Sequence, residues 1–511
     1  MPQPAPAITR LQDIPQYQAQ RQPDATALWW EGEAISYAAL QARIHALTRR
    51  LAASGPAGER IAVLAWNCPE FVELLYAVPA AGKILVPLNA RLAPAELTWQ
   101  LQHSGARLVF ADAGLRATHL PQPVAADSPR IVEFGEPHAQ WLASGPCSPP
   151  PRTAVDDPAW ILYTSGSTGR PRGAVLTHRS FLAGLASAAL ARPVQPGDRY
   201  YYPFPLFHVA AHNVLLQHRH GAAVVLAPSF EASAALTACR ELRVTSMSLA
   251  PTMLAMLLDH PDFRPEDLSW VRSIGYGASA MPVTLLRRLL RETAVDLCQS
   301  YGMTELSGSV AFLTAEDHRA AAESQPGLLK SVGRVLPTAE VRIADDAGDT
   351  LPCGAEGEIL VRAEQCMAGY WQDPAATDAA LAEGWLRTGD IGRFDSGGYL
   401  YIVDRKKDML ISGGENIASR EVEEVLRTHP AVADCAVIGL PDARWGERVC
   451  AVLVLREDAT DDALAAHCRA QLAGYKTPRQ WHRRASLPLN AAGKVDKPAL
   501  RNDYGGADSG P

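Results

Sequence analysis

The stretch Tyr163–Gly173, YTSGSTGRPRG, follows the apolar segment Trp160-Ile161-Leu162 and sets three glycines and four Ser/Thr residues into eleven positions. A turn of this composition can present backbone N–H groups and hydroxyls to an anion such as phosphate. It can equally serve as a surface turn. The Walker A spacing, four residues between glycines and then Gly-Lys-Ser/Thr, is absent, so a P-loop is not what is written here. Three charged residues stand in other Gly-containing stretches. Glu305 closes SYGMTE (Ser300–Glu305), Asp390 closes GWLRTGD (Gly384–Asp390), and Lys494 lies in LPLNAAGKVDK (Leu487–Lys497). A lone carboxylate such as Glu305 suits Mg2+, which commonly takes one or two protein carboxylates beside phosphate oxygens; an exposed surface Glu is the plainer alternative. Asp390 can accept hydrogen bonds from two sugar hydroxyls or close an Asx turn. Lys494 is either a surface lysine or a cation aimed at developing negative charge.

A fifth stretch, DRKKDMLISGGENI (Asp404–Ile417), stands between the last two. With the five in this order, the chain resembles the ANL adenylate-forming superfamily, in its acyl-CoA synthetase branch, over roughly residues 20 to 500. The resemblance implies ATP, Mg2+ and coenzyme A as co-substrates and metal. It implies that Thr164, Ser165, Gly166, Ser167, Thr168 and Gly169 hold the β- and γ-phosphates, that Arg172 stands where the family usually has lysine, and that Thr304 meets the α-phosphate. A guanidinium is not a simple substitute for an ammonium at such a place. Tyr301 is then the adenine-stacking residue, and Gly277, Ala278 and Ser279, in GYGASAMP, form the opposing wall with Gly302 beside it. Glu305 becomes the Mg2+ ligand, Asp390 and Arg405 the ribose anchors, Lys494 the catalytic lysine, and Lys407 the hinge about which a small domain turns between half-reactions.

The same resemblance places the acyl pocket at FPLFHVAAHN (Phe204–Asn213): His208 closes over the carboxylate, with Val209, Ala210, Ser248 and Gly302 as wall. Read without it, His208 is as well explained as a satisfied core histidine. Amino-acid-activating relatives carry an aspartate in this segment to pair the substrate ammonium, and none lies between Phe204 and Asn213. The small neutral lining suits an apolar tail better than a second carboxylate, so the implied substrate is a fatty or aromatic acid of the benzoate or hydroxycinnamate kind. Gly413 and Gly414 are implied contacts for the pantetheine arm, and Trp445, Tyr475, Lys476 and Arg479 for the CoA nucleotide. Trp445 can also be plain core packing. The implied activity is an AMP-forming acid–CoA ligase; an enzyme loading an acyl carrier protein would share every adenylation residue.

These residues need a scaffold. Up to about residue 400, apolar segments such as RIAVLAW, ILVPLN, ARLVFAD and GAAVVLAP alternate with helical ones such as AELTWQLQ and PVTLLRRLLRE, which predicts an α/β fold with parallel sheets. From about Gly333 short strands with turn signals predict a small barrel-like β subdomain. After DRKKD the pattern restarts as a compact α+β unit, its first helix capped by Ser419. Domains at 1–404 and 405–502, with a disordered tail at 503–511, follow. At 511 residues more than one domain is expected, and 47% hydrophobic with 20% charged residues is a globular composition. A net charge of −7 gives no reason to expect nucleic acid. Nine cysteines without a C-x-x-C pair read as reduced core thiols of a cytoplasmic protein. No segment is apolar enough to span a bilayer, and a monomer or homodimer is expected.

Overall fold

The computed structural model describes residues 7–120, 129–164, 171–277, 282–406, 408–412, 415–442, 445–490 and 493–505. The apolar runs become strands at Arg60–Leu64, Ile84–Pro87, Leu108–Ala111 and Ala223–Leu226, buried along nearly their whole length, as strands covered on both faces must be. The helical patterns become Pro94–Ser104 and Val283–Glu292. The chain divides into two compact units. The first comprises Met1–Val341, Val361–Leu386 and Gly398–Leu400, the second Arg342–Leu360, Arg387–Gly397 and Tyr401–Pro511.

The first unit holds two large sheets. One has seven strands in the order Gly369–Tyr370, Arg172–Thr177, Pro158–Thr164, Ile84–Pro87, Arg60–Leu64, Leu108–Ala111, Arg130–Glu133. The other has nine: Arg334–Val335, Gly308–Leu313, Asp296–Met303, Ser273–Gly277, Ser246–Ser248, Arg199–Tyr202, Ala223–Leu226, Thr26–Trp30, Glu33–Ser36. Both are parallel through their centres and antiparallel at edges. Ligand-binding loops in such sheets gather at the carboxyl ends of the strands. A curled five-stranded sheet follows, in the order Ala339–Ala344, Gly357–Ala363, Trp385–Phe394, Leu381–Ala382, with Leu400–Arg405 also on Trp385–Phe394. The two parallel-type sheets, the small half-barrel and the α+β C-terminal part are the fold class expected.

In the second unit the strands Val432–Asp442 and Gly446–Leu455 pair antiparallel over their full length, and alternation sorts their side chains onto two faces. Val437, Val449, Ala451 and Leu453 pack with Val422, Leu426, Leu464 and Cys468 from the helices Ser419–Arg427 and Asp461–Arg469. Ala436, Ile438, Leu440, Cys450 and Val452 face Leu500 of the helix Lys497–Gly505. That last helix runs past the tail boundary read from sequence, because Tyr504 stacks on His482 at 3.8 Å and Asp503 pairs with Arg484 at 2.5 Å.

Ser419 is not the cap of its helix. The cap position is Ala418, which offers no acceptor, and the buried Asp404 carboxylate supplies one: its Oδ2 receives the Ser419 N–H at 2.6 Å and the Ser419 hydroxyl at 2.7 Å. All nine cysteines are free thiols, five of them buried and Cys147 and Cys353 exposed. Among the described residues no helix is long and apolar enough to cross a membrane.

Candidate active site

The strands Pro158–Thr164 and Arg172–Thr177 form an antiparallel pair whose last registered partners are Thr164 and Arg172. Ser165, Gly166, Ser167, Thr168 and Gly169 lie outside the described residues; the pair that ends at their loop does not. Thr164 Oγ1 lies 3.4 Å from Glu305 Oε1. Glu305 sits in the 3-10 turn Thr304–Leu306 that ends the strand Asp296–Met303, and is 5% exposed. The turn is fixed by its backbone: Ser307 takes a left-handed φ of 49°, its hydroxyl donates to Ser180 Oγ at 2.9 Å, and the Met367 N–H donates to the Glu305 carbonyl at 2.8 Å.

A second hydroxyl reaches the same carboxylate oxygen. Tyr370, opposite Ala174 on the edge strand Gly369–Tyr370, donates to Glu305 Oε1 at 3.0 Å. Burial, and then the Glu305 carboxylate, push the Tyr370 phenol above its ordinary pKa, so it remains a donor. Arg172 lies over the Tyr370 ring at 5.5 Å, with Nε 3.8 Å from Asp373 Oδ2. Tyr370 and Asp373 escape the sequence reading because no motif marks them; only the pairing of their segment against Arg172–Thr177 brings them in.

Thr304, Tyr301, Gly302 and Gly277 are all placed by the Asp296–Met303 strand and its neighbours. A Cβ at Gly302 would lie 1.9 Å from the Gly308 carbonyl, at the bulge where Asp296–Met303 meets Gly308–Leu313. One at Gly277 would lie 2.8 Å from the Ser300 carbonyl. Sheet packing therefore requires both glycines. Ala278 and Ser279 are outside the described residues. His208 precedes the 3-10 turn Val209–Ala211, accepts the Ala211 N–H at 3.0 Å, and meets the Phe207 ring edge-on at 4.8 Å. Val209 and Ala210 are half-buried beside it. Ser248 ends a strand of the nine-stranded sheet, and its Oγ accepts from Arg192 at 2.8 Å.

In the second unit, Asp390 is 4% exposed and its Oδ1 lies 2.7 Å from Arg405 Nε, an ion pair by distance. The two expected ribose anchors are thus brought together. The other described charges of DRKKD are also engaged: Asp404 with the helix start, Lys406 with Asp346 at 2.8 Å and Glu358 at 3.3 Å, Asp408 with Arg501 at 3.2 Å. The described charges of the run are thus paired, with Arg405 and Lys406 still exposed. Lys407, Gly413 and Gly414 lie outside the described residues. Arg479 stacks on Trp445 at 4.2 Å; Lys476 lies 5.9 Å over the Tyr475 ring and is paired to Glu421 at 2.6 Å. Lys494 is exposed in a tight turn, where its N–H donates to Asn490 Oδ1 at 3.1 Å and its carbonyl accepts from the Asn490 N–H at 2.7 Å.

Among the described residues no group of three or more His, Cys, Asp or Glu side chains could hold a metal alone. One buried carboxylate flanked by a hydroxyl at the mouth of a Gly/Ser loop is the donor set of an ion that arrives with a polyphosphate, so the residues fit Mg2+ brought by a nucleotide.

Residues 15–371 match the family described as AMP-binding enzyme, and residues 421–494 match the AMP-binding enzyme C-terminal domain. The chain belongs to the AMP-binding enzyme family. This AMP-binding enzyme is 36% identical over 496 residues to a feruloyl-CoA synthase from Amycolatopsis sp, covering 96% of this chain and 98% of the relative. It is similar in structure to o-succinylbenzoate CoA synthetase from Bacillus subtilis in complex with its acyl-adenylate intermediate, with a TM-score of 0.86, 31% identity, and 98% and 99% of the two chains covered. The same Bacillus subtilis enzyme with ATP and magnesium ion matches at a TM-score of 0.84 and 31% identity, over 96% and 98%. The AMP-binding enzyme is therefore an adenylate-forming ligase that activates a carboxylic acid with ATP.

Proposed function

We propose that this enzyme joins a fatty or aromatic carboxylic acid to coenzyme A in two half-reactions. In the first, a carboxylate oxygen bonds to the α-phosphorus of ATP as the bond to the bridging oxygen of pyrophosphate breaks. In the second, the CoA sulfur bonds to the acyl carbon, the bond to AMP breaks, and the thiol proton is lost. The observation that carries this reading is the buried Glu305 carboxylate, met by Thr164 and Tyr370 where the Gly/Ser loop begins.

In this reading Thr164 to Gly169 and Arg172 hold the departing pyrophosphate, Thr304 the α-phosphate, Tyr301 and the Gly277–Ser279 wall the adenine, and Asp390 with Arg405 the ribose. Glu305 would hold Mg2+, which when bound neutralises charge on the polyphosphate. Lys494 stabilises the negative charge that accumulates at phosphorus, and His208 closes over the acid. The chemistry asks for placed charge and little covalent work from the protein. A small domain from residue 405 to 502, turning at Lys407, exchanges Lys494 for the CoA contacts at Gly413, Gly414, Trp445, Tyr475, Lys476 and Arg479. Cytoplasmic residence, supported by the nine free thiols, belongs to the same reading.

The test is incubation of the full chain with ATP, Mg2+ and a panel of acids, with and without CoA, read by mass spectrometry. Acyl-CoA with AMP and pyrophosphate is the expected outcome. ADP and orthophosphate, whatever the acid, would overturn the reading.

A further inference from the structure

Glu305 and the loop it faces come from different sheets. The strands Pro158–Thr164 and Arg172–Thr177 belong to the seven-stranded sheet, whereas the turn Thr304–Leu306 ends a strand of the nine-stranded one. A carboxylate on one sheet and a phosphate loop on the other can act on one nucleotide only if their separation is fixed. The segment from Gln365 to Trp371 lies across both. Gln365 is 1% exposed, and its Nε2 donates to the Leu306 carbonyl at 2.8 Å and the Ser309 carbonyl at 3.1 Å. The Met367 N–H holds the Glu305 carbonyl at 2.8 Å. One residue later the segment changes sheets: the Ala368 N–H donates to the Val175 carbonyl at 2.9 Å, and the Trp371 N–H to the Gly173 carbonyl at 2.7 Å.

Tyr370 therefore reaches Glu305 from a backbone held on both sides. Its own N–H donates to Thr377 Oγ1 at 2.9 Å. Close contact with Thr377 requires glycine at the position before: Gly369 takes φ 147°, and a Cβ there would lie 2.7 Å from Thr377 Cγ2.

The phenol makes two contacts of different kinds. Its hydroxyl donates to Glu305 Oε1 at 3.0 Å, and its ring meets the Arg172 guanidinium at 5.5 Å, within cation–π range. A carboxylate that must be immobilised when a cation arrives gives up side-chain freedom at that moment. A hydroxyl already holding one of its oxygens removes part of that cost beforehand.

We propose that Tyr370 is a positioning residue that sets two charges at once: its hydroxyl aims the Glu305 carboxylate at the metal arriving with ATP, and its ring steadies Arg172 beside the pyrophosphate. The inference rests on the acid-ligase reading above and on its assignment of Glu305 to Mg2+. The two contacts are separable, since phenylalanine keeps the ring and removes only the hydroxyl, whereas leucine removes both.

The test is calorimetric binding of α,β-methylene-ATP, whose α–β bridge the enzyme cannot cleave, to the full chain with and without Mg2+. No turnover enters the measurement. In the wild type Mg2+ should tighten binding. In Tyr370→Phe the affinity in excess Mg2+ should fall about tenfold, while the affinity without Mg2+ stays within about twofold of wild type. Tyr370→Leu should show the same loss in Mg2+ and, in addition, a fall of about threefold without it. Undiminished affinity in Mg2+ for Tyr370→Phe overturns the inference. So does equal weakening with and without Mg2+, which is what a purely structural residue would give. A Tyr370→Leu variant indistinguishable from Tyr370→Phe overturns the part played by the ring. No tightening by Mg2+ in the wild type overturns the assignment of Glu305, and failure of the wild type to bind the analogue at all overturns the acid-ligase reading; either takes this inference with it.

Discussion

The two charges on which the proposed adenylation turns are held in opposite ways. Glu305, in the first unit, is 5% exposed, rigid in its backbone, and hydrogen-bonded by Tyr370 with Thr164 beside it. Lys494, in the second unit, is exposed in a turn whose backbone is held by hydrogen bonds exchanged with Asn490. The contrast follows from what each charge must do. A metal-binding carboxylate gains from being fixed before the nucleotide arrives, since reorganisation at the moment of reaction costs rate. In the proposed reaction Lys494 later makes way for a thiol, and a long flexible stem suits that exchange.

Breaking the exposed side of the comparison should have the largest effect. Lys494→Ala should lower adenylate formation by roughly 10²–10³-fold while sparing thioester formation from supplied acyl-AMP, because only the first half-reaction uses the cation. Pyrophosphate release and acyl-AMP consumption, measured separately, check this; equal loss in both would show that Lys494 serves the fold or both steps.

Glu305→Gln attacks the buried side. The amide keeps the size and one acceptor but loses the charge, so adenylation should fall on the order of 100-fold, with a raised requirement for Mg2+. A Mg2+ titration of AMP formation decides it: an unchanged Mg2+ dependence would make Glu305 a structural partner of Tyr370 only.

Acid should tell the units apart more gently. His178 and His218, both in the first unit, are pushed down to about 4 by burial; His178 Nδ1 accepts the Leu11 N–H at 3.2 Å, and His218 lies between the Tyr76 hydroxyl at 2.8 Å and the Ala27 carbonyl at 3.0 Å. With the folded pKa below the unfolded value of about 6.5, the unfolded chain binds protons first. The stability these groups contribute is thus complete above pH 6.5 and drains away as pH falls towards 4, by a few kcal/mol in total. Hydrogen exchange at pH 7 and pH 5 should show loss of protection in the strands of the first unit; uniform loss across both units would contradict the assignment.

How much of this was legible in the sequence depended on whether a residue's role is local. The apolar strands and the helices follow from periodicity, and Glu305 is marked by its own turn. Tyr370 is not, since its value comes from a strand pairing with residues almost two hundred positions earlier. Arg192 ends an apolar helix before a proline and carries no signal that it will lie on Gly275. The pairing of the described charges of DRKKD with Asp390, Asp346, Glu358, Ser419 and Arg501 joins positions that no local pattern links. Gly277 and Gly302 are placed by the resemblance in the wall of the site, and the sheet's own packing also needs them bare, which the sequence does not show.

The smallest effect tests whether the second unit's rigidity lies where its charges are buried. Asp404 is 6% exposed and stands in for the missing cap of the helix Ser419–Arg427, while Lys497 donates to the same serine at 2.5 Å and pairs with Glu423 at 2.8 Å. Asp404→Asn keeps an acceptor and loses the charge, and should destabilise this unit by about 1 kcal/mol; Asp404→Ala leaves the first N–H groups of the helix and the Ser419 hydroxyl without their acceptor and should cost about 2. Amide exchange at Arg420 to Glu423 reads the effect locally, where a melting temperature of a two-unit chain would blur it. If Asp404→Ala leaves those amides as protected as before, the helix is held by its apolar face, Val422 and Leu426, and not by the borrowed carboxylate.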